Sequence, residues 1–512
     1  MAAAVYTTDL VTINLLDTTT PAVGEPTGSV AGTTIAVETD HYVVGTACIA
    51  KIFNATGIGG LGFQNATTVT VPADGAVYMW TNFLAPNALD VQANGGMQLL
   101  VGNTLANYKR FYVYGDDTIP YGGWQVNAIN PANTASATQG TPSGVWQYFG
   151  IAVAVQAAVA RGYPLAWDAV RAGRGSIIAV SGDLANGYAN FSAIATKNDL
   201  NTVGDENRWG IFSFGNGTYT LQGRLALGSA GTAVDFRDSN RAIFIKNTEF
   251  VTAPFNQFEI INAASRVDWT GITISSLSTI SKGRVIVTDN ATVNIDNCTF
   301  VDMSTFTFQS NSSITDSTFR RCELITHGNA VFTDNFIEES PAAVALLTTN
   351  LNGIQNCTFI SSGTGHAIEL TAAGSYTFVG NSFTGYGAIG TTNAAIYNNS
   401  GGAVTITVSG GNSPTYRNGA GATTTVVSGA TVTFTGLPTG TDIVILTAGT
   451  ITVLDQVDQN SGTTYAWGYS GTPTVDVGFI KEGYVPYYIR SLALSSTDSS
   501  IPVAMSIDRN FI

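Results

Sequence analysis

Asn297-Cys298-Thr299-Phe300 returns as Asn356-Cys357-Thr358-Phe359, with Asp316-Ser317-Thr318-Phe319 between them. Looser copies stand at Thr333-Asp334-Asn335-Phe336 and Gly380-Asn381-Ser382-Phe383. Aligning Phe300, Phe319, Phe336, Phe359 and Phe383 gives spacings of 19, 17, 23 and 24 residues. An apolar residue stands five places before each: Ile295, Ile314, Val331, Ile354 and Phe378. The same frame fits Ile245 to Phe250 and, more loosely, Val267 to Ile272, which makes about seven copies.

The chemistry of one copy is that of a short coil. An aliphatic residue ends a strand and points inward. Asn297, Asp316 or Asn356 then turns the chain, because Asn and Asp tolerate left-handed backbone angles and bond their own main chain. In the next strand Cys298 and Phe300 face inward and Thr299 outward. One coil cannot bury its apolar face alone, whereas stacked coils bury theirs against each other. A period near 20–24 residues with strand-type alternation therefore predicts a parallel β-helix. Its core columns are Ile295, Ile314, Val331 and Ile354, and Phe300, Phe319, Phe336 and Phe359. The Leu-rich consensus of the other solenoid with this period is absent.

Composition agrees. The chain has 512 residues, of which only 11% are charged and 44% hydrophobic, with 56 glycines. Low Lys and Glu with abundant Gly, Thr, Val and Asn favour strands and turns over helices. The net charge of −14 and a pI near 4.5 argue against a nucleic-acid groove or an anionic membrane surface. Met1 to Tyr6 lacks the basic start and apolar core of a secretory signal, and no run reaches the length of a spanning helix. The protein is expected to be made in a cytoplasm and to stay soluble there, or to leave by lysis or a dedicated route. The four cysteines, Cys48, Cys298, Cys322 and Cys357, form no CxxC pair and are expected to be reduced and buried.

The expected organisation is mainly β. Residues 1–140 read as an N-terminal β domain, with strand-like runs such as Thr68 to Val71 and Phe111 to Tyr114. Residues 141–175 read as a helical cap or linker: Val145 to Arg161 predicts a helix ended by Gly162, and Pro164 to Ala172 a second, together a short helical segment near 145–172. Residues 176–425 carry the β-helix, and residues 426–512 a small β-sandwich-like domain with strands near 431–434, 442–446 and 474–477.

Motifs for chemistry are few. Gly57-Ile58-Gly59-Gly60-Leu61-Gly62 matches GxGxxG, but a strand rather than a helix is expected after it, which excludes a dinucleotide site. His41, His327 and His366 are too dispersed for a metal site. Parallel β-helix enzymes that cut polysaccharides use carboxylate pairs on the outer face. The candidates are Asp289, Asp296, Asp302, Glu323, Glu338, Glu339 and Glu369, with Arg320 and Arg321 to neutralise an acidic sugar. They are sparse, no cluster repeats at one coil position, and Trp and Tyr are absent between Gly271 and Ser375. The reading therefore names no catalytic, cofactor-binding or metal-binding residue and expects a non-enzyme.

The coils with their Asn-Cys-Thr-Phe turns, over roughly 240–385, resemble right-handed β-helix proteins of tailed-phage virions. Val485-Pro486-Tyr487-Tyr488-Ile489-Arg490, Ser500-Ile501-Pro502-Val503 and Ile507-Asp508-Arg509-Asn510-Phe511 look like the C-terminal β module of virion structural proteins of marine phages. The resemblance implies a structural virion protein: a capsid-surface decoration, turret or spike, contacting other capsid or tail proteins as a homo-oligomer, a trimer or a pentamer. The capsid surface is preferred because no coiled-coil shaft is legible. The rival reading is a tail fibre or tailspike that binds, and in one version cleaves, host surface polysaccharide. A bacterial surface adhesin is disfavoured by the missing signal peptide. No nucleic-acid or membrane partner is expected.

Overall fold

Phe300 and Phe319 are fully buried and stacked, with ring centroids 5.1 Å apart. This one-coil contact is the repeating unit of the architecture. The computed structural model describes residues 6–509 except 20–21, 30–33, 54, 120–122, 157–162, 180–187, 196–208, 216, 247–249, 252–253, 278–280, 470–471 and 496–497. The chain is mainly β, 52% strand and 3% helix. It divides into two units, residues 1–293 with 301–304, and residues 294–300 with 305–512.

The first unit opens with an antiparallel sandwich. One sheet runs Gln125–Ile129, Ala76–Phe83, Tyr163–Gly173, Cys48–Phe53, Ala36–Glu38. The other runs Ala137–Gln139, Asn107–Tyr114, Met97–Thr104, Tyr148–Val155, Gly57–Gln64, Val23–Gly24. Their inner faces share one core that includes Phe53, Met79 and Trp167 from the first sheet and Phe63, Leu99 and Phe149 from the second.

The helical segment expected near 145–172 is corrected here. Tyr148–Val155 is a strand between Gly57–Gln64 and Met97–Thr104, and Tyr163–Gly173 is a strand between Cys48–Phe53 and Ala76–Phe83. The reason is burial on both faces. Phe149, Ile151 and Val153 enter the sandwich core, while Tyr148 and Ala152 pack on the other side with Leu100 and Tyr108. A strand covered on both faces reads as an unbroken apolar run, which periodicity cannot tell from a buried helix. The end of the expected first helix, at residues 157–161, lies outside the described residues.

The α-helix found among the described residues is Phe191–Ala195. Asn190 caps it through the Ala193 N–H at 2.8 Å, and Asp238 accepts the Phe191 N–H at 2.8 Å. Phe191 sits among Phe212, Phe236, Phe258 and Trp269, so this turn plugs the coils with aromatic surface.

Those coils are parallel. In the first unit Ser176–Ala179, Arg224–Leu227, Gln257–Ile260 and Arg284–Val287 stack in register. A second face stacks Thr218–Leu221, Ala242–Ile245 and Thr273–Ser276, and a third pairs Asp235–Ser239 with Arg266–Thr270. Residues of the sandwich bond these coils directly: Tyr78 donates to Gln222 O at 3.1 Å, and Arg224 pairs with Asp74 at 2.8 Å.

The second unit repeats the three-faced coil. Thr305–Thr307, Leu324–Thr326, Val344–Thr348, His366–Leu370, Ile396–Asn398 and Tyr416–Asn418 form one sheet. Thr318–Arg320, Phe336–Glu338, Thr358–Ile360 and Ser382–Thr384 lie in another, and the strands from Ser312–Thr315 to Thr423–Ser428 in the third. The chain then builds a small sandwich. Its sheets run Thr464–Tyr469, Ala430–Thr435, Ser499–Pro502 and Val453–Asn460, Thr441–Thr447, Thr474–Ile480, Tyr487–Ala493. Phe434, Trp467 and Phe479 are in its core.

Ile295, Ile314, Ile354, Phe300, Phe319 and Phe359 are all fully buried. Val331 and Phe336 are not: each is 50% exposed, and the aligned columns are corrected by one residue in that coil. Phe332 stacks on Ile314, and Ile337 on Phe319. The corrected Phe/Ile spacings, 19, 18, 22 and 24, are also more even.

Candidate functional site

Asn297, Asp316 and Asn356 adopt φ of 50°, 50° and 54°, the left-handed turn their side chains favour. Asp334 at 59° and Gly380 at 66° belong to the same column. Each N–H of this column bonds to the next coil, as in Asp316 N to Thr333 O at 3.3 Å and Asn356 N to Val379 O at 2.9 Å.

The residue after each turn points inward and is small and polar: Cys298, Ser317, Asn335, Cys357 and Asn381. Asn335 Oδ1 accepts the Ser317 N–H at 2.9 Å and its Nδ2 donates to Ile314 O at 2.9 Å. Asn381 repeats this toward Cys357 N at 2.9 Å and Ile354 O at 2.8 Å. Ser317 Oγ accepts the Cys298 N–H at 3.0 Å. Cys357 Sγ donates to backbone carbonyls of Phe332 and Gln355, and burial pushes its thiol up to about 12. All four cysteines are buried, and none forms a disulfide among the described residues. The polar ladder was not singled out from sequence; its signal was the run Cys, Ser, Asn, Cys, Asn one place after each turn.

The histidines do different work. His327 Nδ1 bonds Thr348 Oγ1 at 2.9 Å, whose own proton goes to Asn350 O at 2.8 Å. Nδ1 therefore carries the hydrogen, and buried Nε2 has no hydrogen-bond partner among the described residues. Burial lowers this imidazole to about 4. His41 stacks on Trp124 and meets Asn82 at 2.7 Å. No group of three His, Cys, Asp or Glu able to hold a metal occurs among the described residues.

Two of the candidate carboxylates, Asp296 and Glu339, reach across to a neighbouring coil. Asp296 accepts the Thr315 hydroxyl at 2.8 Å, and Glu339 lies 3.9 Å from Arg320. Arg320 and Glu338 are ladder neighbours. Asp289 receives the Ala291 N–H on its backbone carbonyl at 2.7 Å, and Ser340 Oγ donates to Glu323 O at 3.4 Å. Asp302 and Arg321 take left-handed turns with φ of 55° and 50°. Asp316 is held above the usual carboxylate range by burial, then by Asp334 and Asp296 on adjacent coils.

Gly57–Gln64, the glycine motif itself, is a strand of the sandwich, whereas Thr68 to Val71, expected as a strand, is not one. Gly60 is there for space: a Cβ would stand 2.5 Å from Ile151 O.

Glu369 falls elsewhere. Glu369, Tyr397 and Arg417 are ladder neighbours on the outer side of one sheet of the second unit, while Ile368, Leu370 and Ile396 of the same strands are buried. They line a groove of 720 Å³ walled by 341–344, 363–366 and 392–393. His366 stacks on Tyr397, centroids 5.1 Å apart at 16°, and the Arg417 guanidinium stands 5.4 Å from the same ring. Asn399 Nδ2 donates to Glu369 Oε1 at 2.7 Å, and His366 Nδ1 bonds Ala394 O at 2.6 Å. This is a polar, partly aromatic cleft of the size that takes small ligands. Sequence reasoning named only Glu369 as a candidate site residue here.

Residues 209–383 match the family model described as "Right handed beta helix region". No curated protein sequence matches the chain. Among solved structures, a carbohydrate-binding module, CBM27-1 of Caldicellulosiruptor saccharolyticus in complex with mannohexaose, aligns at 15% identity and TM-score 0.23, covering 32% of this chain and 97% of that one. A GH87 α-1,3-glucanase catalytic domain in complex with nigerose aligns at 11% identity and TM-score 0.19, covering 81% and 86%. A variant of such a domain, also with nigerose, aligns at 13% identity and TM-score 0.18, covering 89% and 79%.

Proposed function

We propose that this chain is a non-enzymatic structural protein of a tailed-phage particle, displayed on the capsid surface as a decoration, turret or spike. One observation carries the reading: the terminal sandwich is mounted on the last coils without a linker. Strand Thr423–Ser428 of the coil is separated from Ala430–Thr435 of the sandwich by Gly429 alone. The backbone of Gly410 approaches Gly468 so closely that a Cβ on Gly468 would stand 3.2 Å from Gly410 N. A stiff, stacked body that holds a small β domain at its end suits display. The net charge of −14 suits a solvent-facing surface that resists non-specific aggregation.

Its partners are then other virion proteins and further copies of itself, in a trimer or a pentamer, and it resides in the particle. The test is mass spectrometry of gradient-purified particles from the source culture. The reading expects this chain at a fixed copy number comparable to other surface proteins. Its absence from pure particles overturns the reading.

A further inference from the structure

The geometry points to the groove over Glu369, Tyr397 and Arg417 as a binding site for a neutral oligosaccharide, held without cleavage. Three outward side chains on successive coils stand about 4.8 Å apart per step. In the second unit, the outward positions of this sheet before the groove carry small or aliphatic residues, such as Thr305, Thr307 and Leu324. Here a carboxylate, a phenol and a guanidinium stand in one file.

Their order is fixed in advance. His366 comes from the coil before Tyr397 and Arg417 from the coil after it, and both pack on its ring. The ring is held by its neighbours and offers its hydroxyl and edge rather than a free face. The Ala394 carbonyl accepts the His366 Nδ1 hydrogen, which fixes the imidazole against the Tyr397 ring. The file thus offers the Glu369 carboxylate as acceptor, the Tyr397 hydroxyl as both donor and acceptor, and the Arg417 fork as donor. Alternating acceptors and donors match the vicinal hydroxyls of a sugar, each of which donates and accepts. One negative and one positive group leave the file neutral, which favours an uncharged ligand over a uronate. Because the groups are already ordered by stacking and by the Asn399–Glu369 bond, binding loses little side-chain entropy.

The wall has its own cause in the sequence. Ile368 and Ile396 are ladder partners although 28 residues apart, whereas Ile396 and Tyr416 are 20 apart. The longer coil carries Thr392 and Asn393 to the rim.

The test uses the full chain on an array of neutral hexose oligosaccharides, including mannohexaose and maltohexaose, beside uronate oligosaccharides. Variants Arg417→Ala, Arg417→Lys and Tyr397→Phe are compared with Thr405→Ala on a different sheet. The expected result is binding of at least one neutral oligosaccharide, weakened at least 10-fold by Arg417→Ala and several-fold by Arg417→Lys and Tyr397→Phe. Thr405→Ala should bind unchanged, and the bound sugar should be recovered intact. Circular dichroism melting confirms that the variants fold. No binding to any neutral member, binding to uronates alone, binding indifferent to the groove variants, or recovery of a shortened sugar each overturns the proposal.

Discussion

Asn381 Oδ1 accepts the backbone N–H of Cys357, one coil before it, at 2.9 Å, and Asn381 Nδ2 donates to Ile354 O at 2.8 Å. One buried amide thus satisfies two backbone groups that the sheets leave unpaired at a corner. Removing it strands both. Asn381→Ala should cost about 2–6 kcal/mol, twice the usual penalty of a single buried orphan, in urea denaturation. A cost under about 0.5 kcal/mol would show that the ladder is incidental.

Phe319 and Phe336 are separated by the register correction. Phe319→Ala should destabilise by about 3–5 kcal/mol, because its fully buried ring stacks on Phe300. Phe336→Ala should stay within about 1 kcal/mol, as for other half-exposed residues. Equal costs would restore the alignment that places Phe336 inside.

His327 makes stability fall with acid. The folded imidazole resists its proton until about pH 4, whereas the unfolded one takes it near 6.5. Between these values the unfolded state binds more protons. The contribution is full above pH 6.5 and is lost progressively as the pH drops toward 4, by up to ~3 kcal/mol. His327→Gln cannot titrate, so its stability relative to the wild type should rise over this window. A difference that stays flat from pH 7 to 4 contradicts the assignment.

Asp168 acts with the opposite sign. Burial pushes its carboxyl up to about 7, against the Val44 and Val43 N–H groups that bond Oδ2 at 2.9 and 2.7 Å. Its ordinary value is 3.8, so from pH 3.8 to 7 the folded state binds more protons and stability falls as the pH rises. Asp168→Asn keeps an acceptor for both N–H groups and carries no charge. It should gain on the wild type by a few kcal/mol between pH 4 and 8, read as a widening difference in Tm. A constant offset contradicts the account.

The solenoid was legible because stacking forces one residue type into one column, and Ile295, Ile314 and Ile354 obey that. The slip at 331–337 arose because Phe336 is apolar yet faces solvent, while Ile337 behind it fills the column. Inward Asn335 and Asn381 hid because polar residues are read as surface. Tyr148–Val155 was read as a helix because its alternate residues are buried on both faces. The groove was hidden for a topological reason. His366, Glu369, Tyr397 and Arg417 meet only through ladder pairing between coils of unequal length, which no local spacing encodes.

Antibody-labelled electron microscopy of purified particles tests the central claim most directly, that the chain is a displayed structural component of a virion. The account predicts label distributed over the head surface. Label confined to the tail tip would move the protein to receptor attachment, and unlabelled particles would contradict the virion reading itself.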